Sequence, residues 1–217
     1  MSLLTRNMLR SAFLLALVAV IGTTLLAGIH ALTRDRIAAQ ERRVVLEQLN
    51  QVLPGSEYDN ALHEDVIEIR DYSYFKHDEP FLVYRARKQG RPVAVVLNLV
   101  TADGYNGDIR LLVAIRVNGL IAGVRVIAHR ETPGLGDPVE RARSDWVLGF
   151  DGRSLTDPGQ KDWAVRRDGG IFDQFTGATI TPRAVVEAVQ AALEFFAAQQ
   201  DSIFAPVQAE TSHDQDR

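Results

Sequence analysis

Ile109-Arg110-Leu111-Leu112-Val113-Ala114-Ile115-Arg116-Val117, then Asn118-Gly119, then Leu120-Ile121-Ala122-Gly123-Val124-Arg125-Val126-Ile127-Ala128 is the stretch that decides the fold. Two runs rich in β-branched residues are separated only by Asn-Gly, the dipeptide that favours a tight type I′ hairpin, so the runs should pair antiparallel. Upstream, Val66-Ile67-Glu68-Ile69, Phe81 to Ala86 and Val93 to Val100 have the same strand character. An antiparallel sheet is expected, with Arg116 and Arg125 projecting from the exposed face of the last hairpin. Near the carboxyl end, Val185, Val189, Leu193 and Phe196 recur at helical spacing, behind Thr181 as helix cap and Pro182 as first helical residue. That helix should bury its apolar stripe against the sheet, which gives an α+β fold.

Composition sets outer bounds. The chain has 217 residues, 46% hydrophobic and 24% charged, enough for one ordinary domain plus accessory segments. A formal charge of -4 without a basic stripe argues against a nucleic-acid partner. The chain has no cysteine, which excludes disulfides, thiolate-held iron–sulfur clusters, a cysteine nucleophile and a lipidated cysteine. No metal site is expected; His213, in a polar tail, is a poor ligand candidate.

From Ser11 to Thr33 there is no Asp, Glu, Lys or Arg. At about 1.5 Å per residue, a helix of this length crosses a hydrocarbon layer of roughly 30 Å. An uncleaved anchor is favoured over a cleaved signal peptide, because the apolar run is long and Ile29 stands where a small residue is wanted. Arg6 and Arg10 before the helix are balanced by Arg34 and Arg36 after it, so charge gives no orientation. The organisation reads as an amino-terminal segment 1–10, a transmembrane helix 11–33, a juxtamembrane helix 34–55 stopped by Pro54-Gly55, a main domain 56–201 and a disordered tail 202–217.

Two stretches carry candidate chemistry. The first is His129-Arg130-Glu131-Thr132-Pro133-Gly134-Leu135-Gly136, whose glycines let backbone approach something flat or tightly packed. The second is Asp173-Gln174-Phe175-Thr176-Gly177-Ala178-Thr179, which puts a small, unhindered segment and a threonine hydroxyl just ahead of a helix amino end. Unpaired N–H groups, placed by this reading at Arg183 and Ala184, and the helix dipole favour a phosphate there. Arg166, Arg167 and Arg183 are the nearest basic groups in sequence, and exposed side chains are their plainer reading. Trp146 and Trp163 read as core residues. A hydrolase built on His129, Glu131 and Ser144 or Ser154 is disfavoured, since there is no Gly-x-Ser-x-Gly elbow. An anchored, non-redox binding or scaffold protein stays open as an alternative.

Read as Asp-x-x-Ser/Thr-Gly-Ala-Thr, the residues Asp173, Thr176, Gly177, Ala178 and Thr179 resemble the flavinylation motif of FMN-binding domains. With Glu131 to Gly136 and one amino-terminal anchor, nearly the whole chain is similar to the family of G subunits of Rnf-type ion-translocating electron transport complexes. The related C subunit of sodium-translocating NADH:quinone reductase shares both signals, and the short juxtamembrane region favours the G subunit.

The resemblance implies an FMN-binding domain with FMN esterified through its phosphate to the Thr179 hydroxyl by a separate flavin transferase. Asp173, Thr176, Gly177 and Ala178 would form the recognition segment, presented by a strand and turn over Trp163 to Gly170, and Glu131, Thr132, Pro133, Gly134 and Leu135 would lie near the flavin. It further implies an electron-transfer subunit rather than a complete enzyme, working among other membrane and peripheral subunits that couple electron transfer between ferredoxin and NAD to ion movement. The expected location is the bacterial inner membrane, single-pass, with the main domain on the periplasmic side.

Overall fold

Runs of Val, Ile and Leu broken by Gln89-Gly90, by residues 102–108 and by Asn118-Gly119 fold as a meander. The computed structural model describes residues 3–75, 77 and 79–205. Five strands, β1 Val66–Ile69, β2 Phe81–Lys88, β3 Arg91–Thr101, β4 Ile109–Arg116 and β5 Ile121–Ala128, form one sheet in the order β1-β2-β3-β4-β5 with every neighbour antiparallel. Among the described residues three α-helices complete the fold: α1 Leu3–Val52, α2 Tyr72–Phe75 and α3 Ile180–Phe204. The α+β class expected from the sequence is the one observed.

The chain divides into two compact units, residues 1–45 and 46–217. In the first, α1 is long and apolar enough to cross a membrane. The segment read as a separate juxtamembrane helix is continuous with it, because no helix breaker stands between Thr33 and Pro54.

In the second unit, Val95, Leu97, Leu99, Val113 and Ile115 alternate onto one sheet face and share a buried cluster with Val185, Val189, Leu193 and Phe196 of α3. Each such side chain contributes about 1.5–3 kcal/mol by leaving water. Phe195 extends the cluster edge-on to Phe81, with ring centroids 5.2 Å apart. At the far end of α3, the buried Arg85 on β2 donates through Nη1 to the carbonyls of Ile203 and Ala205, both at 3.3 Å, while Asp65 Oδ1 accepts from its Nε at 2.6 Å. A basic side chain thus satisfies the last carbonyls of the helix. Ser202 to Phe204, expected in the tail, therefore belong to α3; residues 206–217 lie outside the described residues.

The opposite sheet face is also covered. A Cβ on Gly123 would lie 2.8 Å from the Val52 carbonyl oxygen, so the chain leaving α1 rests directly on β5. Glu57 in that segment accepts from Arg116 Nε and Nη2 at 2.9 and 2.8 Å. Arg116 and Arg125 are thus half-buried rather than projecting freely. The β4–β5 hairpin forms as expected with a different turn. Gly119 alone has positive φ, +81°, and its N–H donates to the Arg116 carbonyl, giving a three-residue loop with a glycine bulge. The two-residue loop with positive φ at both positions is Gln89-Gly90, between β2 and β3.

Replacing Asp65 by Ala strands the buried Arg85 charge and should cost about 2–4 kcal/mol, less than a fully buried pair because Asp65 is partly exposed; denaturant unfolding of the detergent-solubilised chain measures it. The Arg116 hydrogen bonds hold the Glu57 carboxyl below the usual range. Its stabilisation is then present above the unfolded value of about 4.3 and lost as pH falls through the lowered folded value, so Glu57→Gln should flatten the acid limb of the stability curve.

Candidate functional site

The connection from β5 to α3, residues 129–179, contains only short 3-10 turns and isolated bridges. Its middle is pinned by a second aromatic cluster, with Phe150 stacked on Phe172 at 4.6 Å and the Trp163 indole donating to the Ser154 carbonyl at 3.1 Å. Trp163 is a core residue, as expected. The tract from Trp163 to Gly170 forms a short 3-10 turn, Arg166–Asp168, rather than a strand, closed by the bridge of Val165 to Phe172.

The first candidate stretch leaves β5 and turns back at once. The N–H groups of Leu135 and Gly136 both donate to the Thr132 carbonyl at 3.0 Å, and the Gly134 N–H donates to Asp137 Oδ1 at 2.6 Å. The Glu131 N–H donates to His129 Nδ1 at 3.0 Å. That contact leaves the His129 proton on Nε2, where it meets Glu140 Oε1 at 2.7 Å. The Glu131 side chain is buried, its Oε1 accepting the Asn106 N–H at 3.0 Å and its Oε2 the Thr181 hydroxyl. Gly136 passes so close that a Cβ there would lie 2.7 Å from Glu131 Cβ and 2.9 Å from Thr181 Oγ1.

The second stretch enters α3 through a tight turn. The Ala178 N–H donates to the Phe175 carbonyl at 3.1 Å, and Gly177 at the third position of the turn has φ +80°, the region that glycine tolerates without strain. The Arg183 N–H donates to the Thr179 carbonyl at 3.2 Å, which makes Thr179 the residue capping α3. The cap expected at Thr181 therefore sits two residues earlier. Thr181 lies inside the first turn, where its hydroxyl reaches across to Glu131, and Pro182 follows at the third helical position. The free N–H groups are correspondingly those of Ile180 and Thr181, which have no carbonyl partner among the described residues, rather than that of Arg183. The Thr179 hydroxyl makes no capping bond; among the described residues its one neighbouring donor is Arg167 Nη1 at 3.4 Å.

The two stretches, far apart in sequence, meet at a cavity of about 250 Å³. Glu131, Thr132 and Leu135 face Gly177, Ala178 and Thr179 across it, joined by Gly136, Ile180, Thr181 and Tyr105. Pro133 and Gly134 shape the loop without lining the cavity. Thr176 is exposed. Asp173 is exposed as well: its carboxylate pairs with Arg166 at 3.0 Å and its carbonyl accepts the Trp146 indole N–H at 2.7 Å, so it holds the turn in place from outside.

In the sequence Tyr105 reads only as part of a turn, with Gly104 and Gly107 beside it as the signal of a close approach. The exposed large apolar side chains of the described residues beyond Val45 are Tyr72, Tyr105, Val117, Leu135 and Ile180. Three of these, Tyr105, Leu135 and Ile180, gather on this cavity. An apolar rim over hydroxyls and unpaired N–H groups suits a flat, largely apolar ligand ending in a phosphate. FMN meets that description, with small residues at Gly177 and Ala178 leaving the Thr179 hydroxyl accessible.

Comparisons with known proteins bear on the same residues. The family model described as FMN-binding domain matches residues 104–194, which include every residue of the cavity, and that described as RnfG N-terminal region matches residues 1–52. The G subunit of the ion-translocating oxidoreductase complex of Pseudomonas aeruginosa strain UCBPP-PA14 is 47% identical over 204 residues, 94% of this chain and 95% of the relative. Proteins of the same description from Shewanella loihica, 46% identical over 91% of this chain and 93% of theirs, and from Vibrio cholerae Classical Ogawa 395, 47% identical over 86% and 88%, are similarly close.

Thr181→Val keeps the shape of the side chain and removes one hydrogen bond to a buried carboxylate. It should destabilise the folded chain by about 1.5–3 kcal/mol, read by denaturant unfolding, whereas Thr181→Ser should retain most of the bond.

Proposed function

The chain belongs to the family of G subunits of ion-translocating oxidoreductase complexes, and from that premise we propose that it is the membrane-anchored component that carries FMN covalently on Thr179 and relays electrons within the complex. The observation that carries this reading is the meeting of Glu131 to Gly136 with Gly177 to Thr181 around one cavity. Thr179 lines that cavity, and its hydroxyl has no capping role.

The attachment forms a bond from Thr179 Oγ to the flavin phosphate. The hydroxyl gives up its proton, and relative to Thr179 plus FMN the product lacks one water. Condensing a free phosphate with an alcohol is uphill in water, so the flavin transferase would draw on a flavin phosphoanhydride, whose broken P–O–P bond releases the second phosphate as leaving group. Gly177 and Ala178 leave room for the transferase to reach the hydroxyl, and Asp173 with Thr176 offers it an exposed recognition edge.

The bound flavin supplies electron acceptance and donation in one- or two-electron steps. The protein supplies position. The N–H groups of Ile180 and Thr181 and the positive end of α3 stabilise the remaining phosphate charge by about 0.3–1 kcal/mol. Tyr105, Leu135 and Ile180 offer apolar contact, and the Glu131 bonds keep the two cavity walls in register.

In this reading α1 anchors the chain in the bacterial inner membrane with the main domain on the periplasmic side. There a tethered cofactor is not lost between turnovers, and other subunits bring the ferredoxin and NAD chemistry and the ion path.

Chain produced together with a flavin transferase should show an intact mass raised by one FMN less one water and a fluorescent band after denaturation. Thr179→Ala should abolish both while changing stability by less than about 0.5 kcal/mol, because the side chain caps nothing. A wild-type chain of bare polypeptide mass would refute the reading.

A further inference from the structure

We propose that Arg167 is the cationic partner of the phosphate on Thr179, an inference that rests on the covalent reading above. Three arginines surround the attachment turn, and their partners set them apart. Arg166 Nε lies 3.0 Å from Asp173 Oδ1. Arg183 grips Asp168 through two parallel bonds, Nε to Oδ2 at 2.7 Å and Nη2 to Oδ1 at 3.0 Å. Arg167 forms no ion pair within 4.0 Å among the described residues, and it alone reaches the Thr179 hydroxyl, with Nη1 3.4 Å from Oγ1.

The backbone beneath Arg167 is fixed to the motif. The Arg166–Asp173 pair and the bond from the Arg167 N–H to Gln174 Oε1 at 3.3 Å tie the 166–168 turn to residues 173–174. The guanidinium is therefore carried on the segment that presents Thr179, rather than reaching it from a distant loop. Asp168 is its natural competitor for a negative partner. The two-pronged bond with Arg183 occupies both oxygens of that carboxylate and holds its pKa below the usual range. The Asp168–Arg183 pair thus spends two charges on each other and leaves one guanidinium for the single negative charge of a phosphodiester. A planar guanidinium fork matches two phosphate oxygens better than an ammonium does. Being exposed, the contact should weaken as salt rises.

The test uses the full chain in detergent, loaded by a flavin transferase. The phosphorus NMR resonance of the wild-type phosphodiester should move with ionic strength. In Arg167→Gln it should sit at the high-salt position already at low salt, with Arg167→Lys in between. Initial attachment to Arg167→Gln should be about two- to fivefold slower at low salt, the range of an exposed charge pair, at an unchanged unfolding midpoint. A loaded chain whose resonance is the same in wild type and Arg167→Gln overturns this inference alone. A wild-type chain with no protein-bound phosphorus resonance overturns the covalent reading and this inference with it.

Discussion

The buried carboxylate of Glu131 is the constraint around which the site is arranged. It forms no ion pair among the described residues, so hydrogen-bond donors must compensate for its removal from water. Those donors come from two other places in the chain: the Asn106 N–H between β3 and β4, and the Thr181 hydroxyl in the first turn of α3. One acidic group therefore fastens together three segments that the sheet leaves separate. Losing either contact would leave a buried carboxylate oxygen short of a donor, so the hydrogen bonds hold the three segments together. Gly136 is part of the same arrangement, since any side chain there would occupy the space where the carboxylate and the hydroxyl meet.

This arrangement divides labour among neighbouring threonines. Thr181 is committed to the fold, bonded inward to Glu131. Thr179 caps α3 with its backbone carbonyl alone, and the residue lines the cavity with its hydroxyl uncommitted to the helix. Thr176 stands outside, exposed at the turn. Similar side chains within a few residues thus meet different conditions, set by the direction in which the helix begins. A start at Thr181 would turn these hydroxyls toward other neighbours.

Much of this was legible in the sequence. Strand cores are runs of β-branched residues, and those runs locate all of β1 to β5 to within a few residues; the stripe Val185, Val189, Leu193, Phe196 likewise locates α3 and its buried face. What escaped the sequence was set by tertiary contact. Asn-Gly favours a type I′ turn locally, yet the β4–β5 hairpin adopts a bulged three-residue loop, while the two-residue form occurs at Gln89-Gly90, which lacks the usual Asn. Thr181-Pro182 carries the local signature of a helix start, but the bond from Thr181 to Glu131, fifty positions away, places it inside the helix. Arg116 and Arg125 read as outward-facing because alternation cannot tell that the chain after α1 folds onto their face. Among the site residues, Glu131, Thr132, Leu135 and Gly177 to Thr179 stood out from the resemblance; Tyr105 and Ile180 did not, since an exposed apolar side chain gains meaning only once its neighbours in space are known.

The size of the cavity bears on why the proposed covalent link would suit it. Small-molecule and cofactor pockets commonly enclose about 300–1,000 Å³, and this one offers about 250 Å³, with Tyr105, Leu135 and Ile180 at its rim still exposed. A shallow cleft offers little burial to set against the loss of translational and rotational freedom on association, which is about 4–15 kcal/mol. If the ligand is bonded to Thr179 as proposed, that cost would be removed from every later encounter, because the ligand would return to the cleft as part of the same molecule. On the proposed reading the cleft could accordingly remain open, as a relay between protein partners would require, without depending on its own depth to retain what it carries.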